Sequence, residues 1–369
     1  MWIDNLTINH CRLLNDVNIR LCENFNIILG QNASGKTSLL ESLSLLSSGK
    51  SFRTSHIKNV ISHSESSILV SAGLISEKNK SQIGVEKSTT KTRIRINKQD
   101  IYSQAELSRY LPITIIHPES IDLIMGPPSF RRSFVDWIAF YISPDFHGKW
   151  KEYKHILKQR NLCLKDKKHR YALPKWTDEL IQLQPSITQF RIDAIDLFNK
   201  ELKKVSESLF GNDSSNPDRN AVNIIFQNGF PPDVDLDERT LKQFYTDKEE
   251  YDIRLKRTSA GVHRADIKIM LNGKPAIQAA SRGQLKLLAI TLLLTQNTTI
   301  NTNNKEKGII VIDDLAAELD SSNKEILLQY LATLNQQLII TTTTKLNIKD
   351  SSSKLFHVKH GVFTEIKKV

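Results

Sequence analysis

An apolar run, Phe25–Leu29, halts at Gly30 and is followed by the octapeptide GQNASGKT and then by Leu39, Leu40, Leu43 and Leu46. The run reads as a buried strand and the leucines as one helical face, so the octapeptide is a loop joining strand to helix. It fits G-x-x-x-x-G-K-[ST], whose glycines let successive N–H groups curl around a polyphosphate at a helix N-terminus. That context commits this part of the chain to an α/β core. The residues expected to hold nucleotide are Gly30, Gln31, Asn32, Ala33, Ser34, Gly35, Lys36, Thr37 and Ser38. Lys36 is expected to reach the β- and γ-phosphates of ATP, and the Thr37 hydroxyl to ligate Mg2+.

A second apolar run, Gly308–Asp314 (GIIVIDD), ends in two carboxylates. Ligands of parallel sheets gather at the carboxyl ends of such strands. Asp313 is expected to bind Mg2+ through water, and Asp314 to orient or deprotonate the attacking water. With Lys36 they make the expected catalytic set. Ser281, Arg282, Gly283 and Gln284 open an apolar helix about thirty residues before these carboxylates. SRGQ is a serviceable helix N-cap. It also resembles the S-G-G-Q signature of ABC-type ATPases, with arginine at the second position. In those proteins the serine and glycine bind the γ-phosphate held by the opposite subunit's P-loop. Leu319-Asp320 matches the loop after the carboxylates that helps build their dimer. The resemblance adds Ser281, Arg282, Gly283, Gln284 and Asp320 to the nucleotide set and implies an ATP-dependent homodimer.

The remaining pattern predicts short strands at Trp2–Ile8, Asp16–Leu21 and across 67–98. In Lys91–Lys98, Ile94 and Ile96 face one way while Arg93, Arg95 and Asn97 face the other. From about Phe130 to Phe210 long helices take over. Trp176, Leu180, Leu183, Ile187, Phe190, Ala194 and Leu197 alternate steps of four and three, a heptad seam that Pro185 is expected to kink or restart. A helix over Lys149–Tyr171 is expected to pack antiparallel against it. The polar stretches Gly211–Arg219 and Asn297–Asn304 read as loops, and Leu355–Val358 with Val362–Ile366 as a hairpin around Gly361. The reading is an α/β ATPase head of ABC type with an inserted short helical, coiled-coil-like arm. The expected divisions are head over 1–118, arm over 119–211 and head again over 212–369.

Further blocks narrow the family. GKSFR at Gly49–Arg53, HPES at His117–Ser120, RRSFVDW at Arg131–Trp137 and LKQRN at Leu157–Asn161 follow the P-loop. GVHRAD at Gly261–Asp266, SRGQLKLL at Ser281–Leu288 and DDLAAELD at Asp313–Asp320 complete a series that spans nearly the whole chain. Together they resemble the bacterial RecF family of recombination mediators, relatives of SMC proteins with a short arm. The resemblance implies ATP-dependent dimerisation on duplex and junction DNA and slow, DNA-stimulated hydrolysis. It also implies work with RecR and RecO in directing RecA onto gapped DNA, in recombinational repair and replication-fork maintenance. Thr341–Thr344 contain no histidine like the switch histidine of ABC transporters, and Asp314 stands where transporters place glutamate. Both departures point to a slow switch.

Charge agrees with a polyanionic partner: 51 basic against 40 acidic residues leave a formal net charge of +11. Candidate DNA residues are Arg93, Arg95 and Lys98 on the 91–98 strand, and Lys154 and Lys158 within a run of nine basic residues over 149–170. Each stretch reads either as a solvated charged face or as a phosphate-contacting surface, without base reading. His263 and Arg264 serve either nucleotide or dimer contacts or the fold. Three cysteines form no metal or disulfide spacing, and the greasiest stretch, Leu285–Leu294, is too short to span a bilayer, so a cytoplasmic protein with no membrane partner is expected. The alternative is an ABC transporter ATPase subunit, against which stands the gap of about 245 residues between Lys36 and Ser281. A small-molecule P-loop kinase would lack SRGQ, and a scaffold with a dead site would not need Lys36, Thr37, Asp313 and Asp314.

Overall fold

The computed structural model describes residues 1–77, 79–210, 221–304, 306–315, 319–346, 348 and 352–366. The chain forms two compact units, the first built from residues 1–121 and 281–369 and the second from 122–280.

The first unit opens with β1 (Trp2–Cys11), β2 (Leu14–Arg20) and β3 (Phe25–Leu29), then α1 (Lys36–Ser48). β4 (Ser67–Ile75), β5 (Lys80–Ser88), β6 (Thr92–Ile96), β7 (Gln99–Ile101), α2 (Gln104–Tyr110) and β8 (Ile113–Ile116) follow. Six of these strands make an antiparallel sheet in the order β2-β1-β4-β5-β6-β7. Its alternation is clean in β6, where Ile94 and Ile96 are buried and Arg93 and Arg95 exposed. α1 is buried nearly all round and touches strands of both sheets of this unit. Its serines are tolerated because Ser42 returns its hydroxyl to Leu39 O at 2.6 Å and Ser48 to Ser44 O at 2.9 Å.

The second unit contains α3 (Asp122–Met125), α4 (Pro128–Ile142), α5 (Phe146–Lys165) and α6 (Leu173–Phe210). β9 (Val222–Gln227), α7 (Glu238–Leu255), β10 (Asp266–Leu271), β11 (Lys274–Pro275) and α8 (Ala276–Ala279) complete it. α5 ends at Lys165 rather than at Tyr171, and a 3-10 turn over Lys167–Ala172 leads into α6. α5 and α6 form the antiparallel hairpin the sequence predicts: Phe146 meets Phe190 and Arg160 reaches Thr177. α6 runs unbroken through Pro185, so of the expected kink or restart the restart does not occur. The fully buried stripe of α6 is also rotated from the expected seam. It runs through Leu180, Gln184, Ile187, Arg191, Ala194 and Phe198, while Trp176, Leu183, Phe190 and Leu197 are half-buried.

Polar residues belong to that stripe because partners meet them inside. Arg191 donates from Nε to Asp136 at 2.8 Å and from Nη1 to Val262 O at 2.5 Å. Gln184 accepts from Tyr245 at 3.1 Å. Arg160, counted among the basic residues of 149–170, is likewise interior: it is 1% exposed and pairs with the equally buried Asp252 at 2.9 Å. The unit extends to Ala280, so β9–β11 and α7 belong with the helices and the chain re-enters the head at Ser281, not at 212. The Gly211–Arg219 loop lies outside the described residues.

Back in the first unit come α9 (Arg282–Asn303), β12 (Ile309–Ile312), α10 (Ser321–Thr333), β13 (Leu338–Thr342), β14 (Lys354–Lys359) and β15 (Val362–Ile366). Asn297–Asn304, expected to be a loop, is instead helical up to Asn303, the last residue of α9. Its threonines stay helical by returning their hydroxyls to the preceding turn: Thr298 to Leu294 O at 3.0 Å and Thr299 to Thr295 O at 2.8 Å. Asn297 is buried and donates to Thr114 at 3.1 Å. The second sheet has the order β15-β14-β3-β13-β12-β8 and is parallel except for β15. Buried Gln337, just before β13, ties this sheet to the antiparallel one, accepting from Ile3 N–H and donating to Ile3 O, both at 2.8 Å. Among the described residues no helix is long and apolar enough to cross a membrane.

Candidate functional site

β3 delivers the chain to Gly30 and α1 carries it away from Lys36, so the loop between them sits at the carboxyl end of a parallel strand. A Cβ on Gly30 would stand 2.6 Å from Ser34 Oγ and 2.7 Å from Val358 O, so only glycine fits there. Gly35 turns the loop into the helix at φ 113°, in the left-handed region open to glycine. The Lys36 ammonium is buried and donates to the carbonyls of Gly30 at 2.6 Å and Gln31 at 2.9 Å. Burial pushes its pKa down, while Asp314 and Asp313 pull it back up.

Order in the sheet brings the acidic pair to this loop. β13 lies between β3 and β12, and Asp313 directly follows the last residue of β12. Thr37 Oγ1 donates to Asp313 Oδ2 at 3.0 Å, which joins residues 276 positions apart. A hydroxyl and a carboxylate at this spacing are the hard oxygen donors that Mg2+ takes, alongside phosphate oxygens and water. Asp314 has φ 48°, a conformation that costs a non-glycine residue about 1–2 kcal/mol and that clusters at functional sites. Asp314 Oδ1 and Ser34 Oγ are buried without a hydrogen-bond partner among the described residues. Such atoms suit a ligand that supplies the missing bonds. A cavity of about 560 Å3 is lined by Asn32, Ala33, Gly35, Lys36, Thr37, Ser38, Asp313 and Asp314. Its volume and lining fit a nucleotide polyphosphate.

The sequence reading assigns no site role to two arginines on the cavity wall or to a threonine behind it: Arg12 and Arg53 bring positive charge to the wall, and Thr341 sits behind the carboxylates. Arg53 lies in the quoted GKSFR block, which was the available signal; Arg12 lies in the β1–β2 turn and carries none.

The signature segment is also in the first unit. Ser281 caps α9 in a capping box, taking Gln284 N–H on Oγ at 3.3 Å while Gln284 Oε1 takes Ser281 N–H at 2.8 Å. Ser281, Arg282, Gly283 and Gln284 are all exposed. Asp320 caps α10, accepting the Asn323 N–H at 2.8 Å. Of the DDLAAELD block, residues 316–318 lie outside the described residues.

The candidate DNA residues are all exposed. Arg93 and Arg95 converge on Asp100 at 3.1 and 2.8 Å, and Lys98 sits with Asn97 in the β6–β7 turn. The two arginines hold the Asp100 carboxyl down to about 2. Lys154 and Lys158 lie one turn apart on α5, Lys154 over the Trp150 ring. His263, by contrast, is half-buried within the second unit. It bonds Tyr153 at 2.8 Å and Thr258 O at 3.2 Å, and burial pushes it down to about 4. These bonds tie it into the packing of the second unit.

A parallel sheet with this P-loop, this acidic pair and this capped signature defines a P-loop ATPase head of the SMC and RecF type. The family described as RecF/RecN/SMC N terminal domain matches residues 2–364. DNA replication and repair protein RecF of Proteus mirabilis (strain HI4320) is 33% identical over 368 residues, covering 98% of each chain. RecF of Shewanella woodyi (strain ATCC 51908 / MS32) is 32% identical over 373 residues, 100% of this chain and 99% of that one. The solved recombination mediator protein RecF-ATP of the RecFOR pathway superposes with a TM-score of 0.87 at 25% identity, covering 99% of this chain and 98% of that one. An Smc head bound to the C-winged helix domain of ScpA shares the fold at a TM-score of 0.58 and 14% identity, covering 99% and 97%. The chain belongs to the RecF family of DNA replication and repair proteins.

Proposed function

We propose that the chain is an ATP-dependent DNA-binding protein of recombinational repair and replication-fork maintenance, acting in the cytoplasm as an ATP-driven homodimer. Lys36 and the loop amides of 30–38 hold the triphosphate, Thr37 and Asp313 hold Mg2+, and Asp314 orients the attacking water. Ser281 to Gln284 and Asp320 meet the nucleotide bound by the second copy. Asp314 in place of glutamate, and threonines in place of a switch histidine, suit slow hydrolysis that resets the clamp. The clamp binds duplex and junction DNA through phosphates, with Arg93, Arg95, Lys98, Lys154 and Lys158 as candidate contacts. With RecR and RecO it directs RecA onto gaps.

One observation carries the dimer. Among the described residues a Cβ on Gly283 would meet nothing within 4 Å, so the exposed N-terminus of α9 is open to an approaching anion such as the nucleotide of a second copy.

The test measures self-association by light scattering and gapped-duplex binding by anisotropy, each with and without ATP, for wild type and Lys36→Arg. Wild type should dimerise and bind DNA only with ATP, and Lys36→Arg should lose at least part of both. Monomers indifferent to ATP and without DNA affinity would sink the reading.

A further inference from the structure

We infer that Glu41 is a positioning residue that sets two arginines, Arg12 and Arg53, on the wall of the nucleotide cavity. The inference rests on reading that cavity as the ATP site.

Glu41 lies on α1, one turn beyond Thr37, and is 0% exposed. A buried carboxylate is costly unless it is paired and hydrogen-bonded, and one placed behind a polyphosphate site also repels the ligand. Its partners give it a reason to be there. Arg12 grips it with a two-pronged fork, Nε on Oε2 and Nη2 on Oε1, the latter at 3.0 Å. The backbone of Arg12 is pinned in turn: its N–H donates to Val60 O at 2.8 Å, and its carbonyl accepts Ser62 Oγ at 2.7 Å.

The second arginine is held through a relay. Ser51 Oγ also bonds Glu41 Oε1. That same Oγ accepts the N–H groups of Arg53 at 3.0 Å and Thr54 at 3.2 Å. Backbone N–H groups can only donate, so the single Ser51 proton is directed to Glu41. The chain of bonds therefore has one sense: the Arg53 backbone leans on Ser51, Ser51 leans on Glu41, and Arg12 closes on the same carboxylate. Arg12 and Arg53 line the cavity with Lys36, Thr37, Asp313 and Asp314. Among the described residues the Arg53 guanidinium has no ion-pair partner, so its charge is available to the cavity while its backbone is fixed.

Glu41→Gln keeps the shape and removes the charge, and the sign of its effect is decisive. If Glu41 acted only through its field, removing a negative charge would tighten binding of a polyanion. If it positions the arginines, binding weakens. Titration of wild type, Glu41→Gln, Arg12→Ala and the double variant with a fluorescent ATPγS in Mg2+ reads this directly, with thermal unfolding run alongside. For folded Glu41→Gln, Kd should rise by about tenfold, the worth of losing hydrogen bonds to a charged group. The double variant should be weaker than Arg12→Ala alone, because Arg53 is also freed, but by less than the sum of the two single effects. Unchanged or tighter binding by folded Glu41→Gln overturns the inference, as does full additivity. Ser51→Ala leaves the Arg12 pair intact and carries the test if Glu41→Gln does not fold. It should weaken binding non-additively with Arg53→Ala, and wild-type affinity in Ser51→Ala overturns the relay. Wild type that binds no ATPγS overturns the ATP reading itself, a different result from binding that ignores Glu41.

Discussion

The Thr341 hydroxyl donates to Asp313 Oδ1 at 2.7 Å and accepts the N–H of Asp314 at 2.8 Å. One side chain thereby fixes both acidic residues of the site, including the backbone N–H at the start of the strained φ of Asp314. Asp313 is held from the other side by Thr37. Thr341→Val keeps the shape and strands a buried carboxylate oxygen and a buried N–H. It should cost about 1–3 kcal/mol of stability in urea unfolding. Hydrolysis should fall about tenfold or more, since the group that orients water loses its fix, with little change in ATP affinity. Thr341→Ser should restore both.

The β14–β15 hairpin reaches the P-loop from the far end of the chain. Gly361 N–H donates to Ser34 O at 2.9 Å, and His360 and Gly361 both have positive φ in the two-residue turn. A Cβ on Gly361 would lie 2.6 Å from Leu13 O. Gly361→Ala should therefore destabilise by about 1–3 kcal/mol and loosen the loop. Calorimetric titration with ATP should show weakened binding from a substitution more than 300 residues downstream of the motif. Wild-type affinity in a folded variant would remove the hairpin from the site.

Acid should weaken the second unit through His263. Its folded pKa, pushed from 6.5 down to about 4 mainly by burial, lies below its unfolded value. Between these values the unfolded chain binds the extra proton, so stability is intact above about pH 6.5 and is lost as pH falls toward 4. The full loss is roughly 3 kcal/mol. His263→Gln should flatten that part of the stability–pH curve relative to wild type in urea unfolding at stepped pH. Parallel curves would show that the imidazole is not the titrating group.

Local motifs were legible and long-range partners were not. GQNASGKT could be read because its strand, loop and helix are contiguous, and SRGQ because a capping box closes within four residues. The α6 stripe departs from the heptad seam because Gln184 and Arg191 look like surface residues until Tyr245, Asp136 and Val262 supply their bonds. Asn297–Asn304 looked like a loop for the same reason: composition does not reveal hydroxyls returned to the helix or an asparagine buried on Thr114.

The sequence by itself determined that a phosphate-binding loop, an acidic strand end and a capped signature exist, in that order, on an α/β chain. Each depends on backbone geometry and hydrogen bonds spanning only a few residues. The tertiary structure decided which side chains stand behind them. Placing β13 between β3 and β12 puts Thr341 against Asp313, and folding the β1–β2 turn over α1 puts Arg12 on Glu41. Those pairings depend on sheet order and register, which no short stretch of sequence encodes, and they turn a glycine loop into an organised site.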